Sequence, residues 1–159
     1  MQGLDLAQFK ALVVRPVLAQ PGLGGSAALN LLTGTALVES GLVWLRQNGG
    51  GPALGLWQME PATHDDIWRN FLRFRPDLAS AVRQVGGAGA GVSSAALLVS
   101  NLAYACAMAR MAYVRAPAQL PAATYSAGLG AYQKQFYNTL RGAADAQRNM
   151  ALFARAIAA

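Results

Sequence analysis

Residues 33–68 read TGTALVESGLVWLRQNGGGPALGLWQMEPATHDDIW, and the fold and function of the whole chain turn on this stretch. It joins the end of an apolar helix, a glycine loop at 48–52, a second glycine-punctuated segment and a fresh helix start. Glu39 is the only acid between Asp5 and Glu60. The residues before it, among them Leu29, Leu31, Leu32, Ala36 and Val38, are apolar at helical spacing. A carboxylate that ends an apolar helix and faces a loop sits where burial favours its protonated form. A group protonated near neutral pH is what general acid catalysis requires. The glycine loop has no strand before it and no lysine after it, so it does not fit a phosphate-binding loop. It reads either as a connector or as the rim of a cleft.

The pair Glu39-Ser40, a spacer, and then Gly55-Leu56-Trp57-Gln58-Met59-Glu60-Pro61-Ala62-Thr63 resembles the core of the lysozyme-like soluble lytic transglycosylases. That family places a Glu-Ser pair at a helix end and follows it with a Gly-Leu-Met-Gln-Ile-x-Pro-x-Thr segment. Trp57 stands here for the usual Met. The wording of 49–68 and of 131–139, AYQKQFYNT, is similar to small phage virion proteins that carry a degenerate domain of this kind.

The resemblance implies a mainly α, compact lysozyme-like helical domain with a short irregular hairpin near the cleft. It implies a single catalytic acid, Glu39, which protonates the glycosidic oxygen and then acts as base. Gln58 would position the sugar or its acetamido group, Trp57 would supply an apolar wall, Tyr137 would bond near Glu39, and Ser40 would contact substrate. Tyr125-Ser126-Ala127-Gly128 also resembles the family's Tyr-Asn-x-Gly signature, with Ser for Asn; Tyr137-Asn138 keeps the Tyr-Asn pair and is preferred. No cofactor and no metal are implied. A two-carboxylate mechanism would draw on Glu60, Asp65 or Asp66 as the second acid. Read without the resemblance, Trp57 and Trp68 are core aromatics, Gln58 braces a loop, and Asp65 and Asp66 are first-turn acids of a helix capped by Thr63.

Composition narrows the classes. The 159 residues fit one domain, 54% hydrophobic and 13% charged, with much of the apolar content in Ala and Gly. Net charge is +6, and eleven of the thirteen basic residues are Arg. That balance favours an anionic partner: nucleic acid, a membrane surface, or peptidoglycan and other wall polymers. The basic residues are dispersed, densest at Arg69, Arg73 and Arg75, so no specific nucleic-acid readout is expected. The single Cys106 lies in an apolar setting and reads as a buried structural thiol. One histidine, His64, excludes a Cys-His pair or a multi-His metal site in practice.

Outward from the core stretch, three parts of one domain are expected: a helix and turn over 1–25, the motif-bearing part over 26–85, and a helical part over 92–159. Residues 4–20 read as a short helix broken near Pro16. Ser26 reads as the N-cap of a helix running to about Leu45. Pro76 opens another helix from a first-turn position. Residues 86–91, GGAGAG, read as a loop, with Ser93 or Ser94 expected to cap an apolar helix over 95–114. At about twenty residues that helix reaches bilayer length, but Asn101, Arg110 and the absence of an aromatic belt favour a buried central helix and no membrane span. Residues 143–159 read as an Ala-rich amphipathic helix suited to core packing or to an oligomer contact. The N-terminal residues do not read as a secretory signal. The expectation is therefore a virion-associated peptidoglycan-cleaving protein acting in the host envelope, beside other virion proteins or its own copies. The competing expectation is a virion structural or internal core protein that keeps the fold with little or no catalysis.

Overall fold

Helix α3 (Ser26–Ser40) is the axis around which the other elements pack. Ala28, Leu31, Leu32, Thr33, Gly34, Thr35, Ala36 and Leu37 are all buried, so the helix has no solvent face over most of its length. Its two threonines tolerate this because each hydroxyl bonds back to the helix. Thr33 Oγ1 donates to Leu29 O and Thr35 Oγ1 to Leu31 O, both at 2.7 Å. The computed structural model describes residues 2–87, 94–137 and 146–159, and these are mainly helical with no strand among them.

Both ends of α3 differ from expectation. Gly25 takes the cap position at φ 114°, and Ser26 is already helical. The helix stops at Ser40, five residues short of Leu45, because Gly41 and Leu42 both turn left-handed, at φ 58° and 60°. Ser40 Oγ spans this turn, donating to Ala36 O at 3.0 Å and accepting Leu42 N–H at 3.2 Å. A left-handed leucine costs about 1–2 kcal/mol. Burying its side chain to 4% exposure offsets that cost.

The chain then folds into a small irregular hairpin. Leu54 and Met59 exchange both backbone hydrogen bonds, at 2.9 and 3.0 Å, and Gly55 N–H reaches Leu45 O at 2.8 Å. Gly55 is obligatory twice over: its φ is 74°, and a Cβ there would collide with Leu98 O. Helix α4 (Pro61–Asn70) starts two residues before the expected Thr63 cap, because Pro61 enters the first turn with φ already set and no donor to satisfy. Asp65 and Asp66 consequently lie beyond the first turn and bond elsewhere. A 3₁₀ turn, Leu72–Phe74, leads to α5 (Pro76–Gly86), which Pro76 opens as expected.

The N-terminal segment keeps its helical path past Pro16. Between α1 (Leu6–Phe9) and α2 (Arg15–Leu18) lies a π-helical turn, Lys10–Val14, in which Arg15 N–H bonds five residues back to Lys10 O. Widening the helix there absorbs the donor that proline lacks. The apolar run over 95–114 is instead two helices, α6 (Leu97–Ser100) and α7 (Leu102–Val114). Asn101 breaks it in an extended conformation: its Oδ1 caps Tyr104 N–H at 2.9 Å and its Nδ2 ties to Gly86 O at 2.6 Å. Ser94 accepts Ala96 N–H ahead of α6, while Ser93 lies outside the described residues. Among the described residues, no helix is long and apolar enough to cross a membrane.

Helix α7 is buried from Tyr104 to Tyr113 and lies against α2, α3, α4 and α5. Helices α8 (Ser126–Phe136) and α9 (Ala146–Ala158) pair with each other and close over α3. The approach of α9 depends on Gly34, since a Cβ there would enter the Phe153 ring. Lys10 fastens the far end: its buried ammonium donates to Ala156 O at 2.6 Å and Ile157 O at 3.2 Å.

Candidate active site

Glu39, the penultimate residue of α3, is partly buried where α8 and α9 meet that helix end. Gln133 of α8 donates its Nε2 to Glu39 Oε1 at 2.8 Å, and Asn149 of α9 donates its Nδ2 to Gln133 Oε1 at 3.1 Å. Gln133 and Asn149 are almost fully buried. An ionised carboxylate only accepts, so it requires Gln133 to present its amide nitrogen, and that orients Asn149 in turn. The relay ends at Asn149 Oδ1, a buried acceptor with no hydrogen-bond partner among the described residues.

Two phenols stand on another side of the carboxylate. Thr35 Oγ1 already gives its proton to Leu31 O, so it accepts from Tyr113 at 2.7 Å. Tyr137 donates to Trp57 O at 2.8 Å, and its ring stacks on Tyr113 with centroids 5.2 Å apart. Burial raises both phenols well above the ordinary tyrosine value, and the nearby charge of Glu39 raises them further. They remain neutral donors beside the carboxylate. Tyr125 is exposed, and of the two tyrosines weighed from sequence Tyr137 is the one that feels the charge of Glu39; Asn138 and Thr139 lie outside the described residues.

The structure gives the other expected site residues mainly internal partners. Trp57 is 1% exposed, donates its indole N–H to Leu32 O at 2.9 Å and packs on Phe9, so it forms core rather than an open wall. Gln58, at φ 47°, places its Nε2 on Gly55 O at 2.8 Å and Trp44 O at 3.4 Å, and braces the hairpin. The Ser40 hydroxyl is used by the helix end. The hairpin still reaches the site, but through the Trp57 carbonyl rather than through side chains.

Gln133, Asn149, Tyr113 and Thr35 were not singled out from sequence. Gln133 carried one usable signal: it lies four residues after buried Leu129, on the inward face of α8. Asn149 lay in a polar run with no comparable mark.

The possible second acids are elsewhere. Glu60 is exposed ahead of α4. Asp66 accepts from Asn70 at 2.7 Å and Arg115 at 2.6 Å, and these bonds hold it below the usual carboxylate value. Asp65 binds the Nδ1 of buried His64 at 2.8 Å, while His64 Nε2 meets Tyr104 OH at 2.7 Å. Trp68 Nε1, which can only donate, also points at Tyr104 OH, at 2.9 Å. The Tyr104 proton therefore goes to His64 Nε2, and the histidine carries its own proton on Nδ1, toward Asp65. Burial pushes the Tyr104 phenol up to about 12. This cluster latches α4 onto α7. Cys106 is buried, and its thiol is pushed far up by that burial.

Among the described residues no group of three or more His, Cys, Asp or Glu side chains is arranged to hold a metal ion. No protein-family model matches the sequence, and no curated protein or solved structure matches the chain.

Proposed function

We propose that this chain is a phage virion-associated domain of the lytic transglycosylase or lysozyme type, cleaving peptidoglycan between N-acetylmuramic acid and N-acetylglucosamine during genome delivery. Glu39 is its acid. It protonates the glycosidic oxygen as the bond to the anomeric carbon breaks, the substrate's N-acetyl group stabilises that carbon, and Glu39 then takes a proton back as base. If the 6-hydroxyl of the sugar attacks, the product is an anhydro sugar; if water attacks, it is a reducing end.

One observation carries this reading. The Glu39 carboxylate closes a buried helix, oriented by the Gln133 amide and set beside two neutral phenols. Positioning a single carboxyl group in this way suits a one-acid mechanism. The net charge of +6 favours association with an anionic wall.

A second reading is a virion structural or core protein without useful catalysis. Its support is specific: the Trp57 and Gln58 side chains are turned into the protein, leaving fewer groups to hold a sugar.

Digestion of purified peptidoglycan by wild type and Glu39→Gln, with released fragments read by mass spectrometry, separates the two readings. The expected result is release by wild type and a loss of at least about 100-fold in the variant, the scale of a general acid. A folded wild type that releases nothing favours the structural reading, and equal release by both proteins removes Glu39 from the mechanism.

A further inference from the structure

Away from Glu39, a groove of about 540 Å³ runs between α4 and α5, lined by Asp65, Trp68, Arg69, Arg73, Pro76 and Arg83 among others. From the groove geometry we infer a site for the phosphodiester backbone of single-stranded nucleic acid, bound without sequence readout.

Charge is the first argument. Arg69, Arg73 and Arg83 contribute three guanidinium groups, and Asp65 is the only acid in the lining. Asp65 is turned to His64, and among the described residues none of the three arginines forms an ion pair. Their donor forks match phosphate oxygens bidentately.

Preorganisation is the second. The Arg83 guanidinium lies 4.8 Å over the Trp68 ring. Trp68 is fixed through its N–H to Tyr104, which is fixed to buried His64. One wall of the groove is thus anchored into the core, so less freedom is lost when an anion binds.

The third argument selects nucleic acid over other phosphate polymers. Phe74, 68% exposed, follows Arg73 and has that guanidinium 5.6 Å from its ring centre. Arg75 sits 5.7 Å from the Phe71 ring in the same turn. Cations alternating with aromatic faces are the arrangement that holds phosphates and stacks bases together. The alternation over 71–75 is contiguous in the sequence, whereas the Arg83–Trp68 pair joins two helices and shows only in the fold.

The test is fluorescence anisotropy of a labelled twelve-residue oligothymidylate, titrated with the whole protein at 50 and 200 mM salt. Three phosphate contacts on a single strand predict a slope of log affinity on log salt near −2, or roughly a 20-fold loss over that range. Arg69→Gln/Arg73→Gln/Arg83→Gln, all surface changes, should abolish that dependence with the melting temperature retained. Phe74→Ala should weaken binding at least about fivefold at an unchanged slope, since a stacked base is lost but no phosphate contact. Absence of wild-type binding overturns the proposal, as does a triple variant that keeps the wild-type slope. Inorganic polyphosphate that binds as tightly as the oligonucleotide, with Phe74→Ala without effect on either, overturns the nucleic-acid assignment and leaves a general polyanion groove.

Discussion

At the scale of single residues, the Asn149–Gln133–Glu39 chain is the arrangement with most at stake. Each member is held by the next, and Asn149 Oδ1 has no partner among the described residues. A buried polar group left unpaired costs about 1–3 kcal/mol. Gln133→Leu removes the donor to Glu39 and strands Asn149 Nδ2, so it should destabilise by about 2–3 kcal/mol. Asn149→Leu deletes an acceptor that no described residue satisfies and strands only Gln133 Oε1, so it should cost less. The double variant strands neither partner of the Asn149–Gln133 bond and should be more stable than the sum of the singles requires, by about 1 kcal/mol or more. Urea denaturation of the four proteins measures this directly. Strict additivity would mean that the two amides do not act as one unit.

At the scale of elements, the ends of helices carry the information. Lys10 is the clearest case, an ammonium in the core whose two acceptors are the carbonyls of Ala156 and Ile157 at the C-terminal end of α9. Those carbonyls have no partner within the helix and carry its negative dipole end. Burial, and secondarily Arg15, lowers the lysine from its usual value, yet the paired carbonyls keep it useful as a donor. Lys10→Met preserves most of the stem and should cost about 1–3 kcal/mol. It should also speed amide exchange in the last turn of α9 while leaving α3 protected. Unchanged exchange there would show that α9 is held by Phe153 and its packing alone. Sequence reading found most of the helices but singled out none over Ser126–Phe136, ran α6 and α7 together and misplaced several ends, for physical reasons. Apolar periodicity located α3, α5, α7 and α9, and Pro76 marked a true start. The left-handed Leu42 and the break at Asn101 are settled by contacts beyond their own helices, with Leu42 buried and Asn101 tied to Gly86, whereas the π turn answers locally to the donor that Pro16 lacks. Glu39 and Tyr137 stood out because their residue types and positions are conspicuous. Gln133 and Asn149 were hidden because an amide on a helix looks the same in sequence whether it faces water or a carboxylate.

At the scale of the whole molecule, the core is unusual in how many proton-bearing groups it keeps neutral. Tyr104, Tyr113, Tyr137 and Cys106 are all raised above their unfolded values, by burial first in each case. A group with a raised folded value stabilises fully below its unfolded value and loses that contribution as pH climbs toward the folded one. For Cys106 the loss starts near pH 9.0, and for the three tyrosines near pH 10.0. Lys10 works in the opposite direction, since the unfolded chain holds its proton longer, and it offsets one of these four only until its own unfolded value of 10.5 is passed. Each uncompensated proton is worth about 1.4 kcal/mol per pH unit. Stability should therefore be nearly flat from pH 7 to 9 and fall by several kcal/mol between pH 10 and 11. Urea midpoints across this range test the fall, and phenolate absorbance tests its cause. The bulk of the tyrosinate signal should appear together with loss of helix, because Tyr104, Tyr113 and Tyr137 ionise only when the core opens. Removing the charge of Glu39 withdraws a secondary cause that raises Tyr113 and Tyr137, so Glu39→Gln should bring the folded values of both down, while burial, the larger cause, still holds them neutral until the core opens. If phenolate absorbance in Glu39→Gln instead rose well ahead of the loss of helix, the charge of Glu39 rather than burial would be what keeps the two phenols neutral, and the order of causes argued for this site would be reversed.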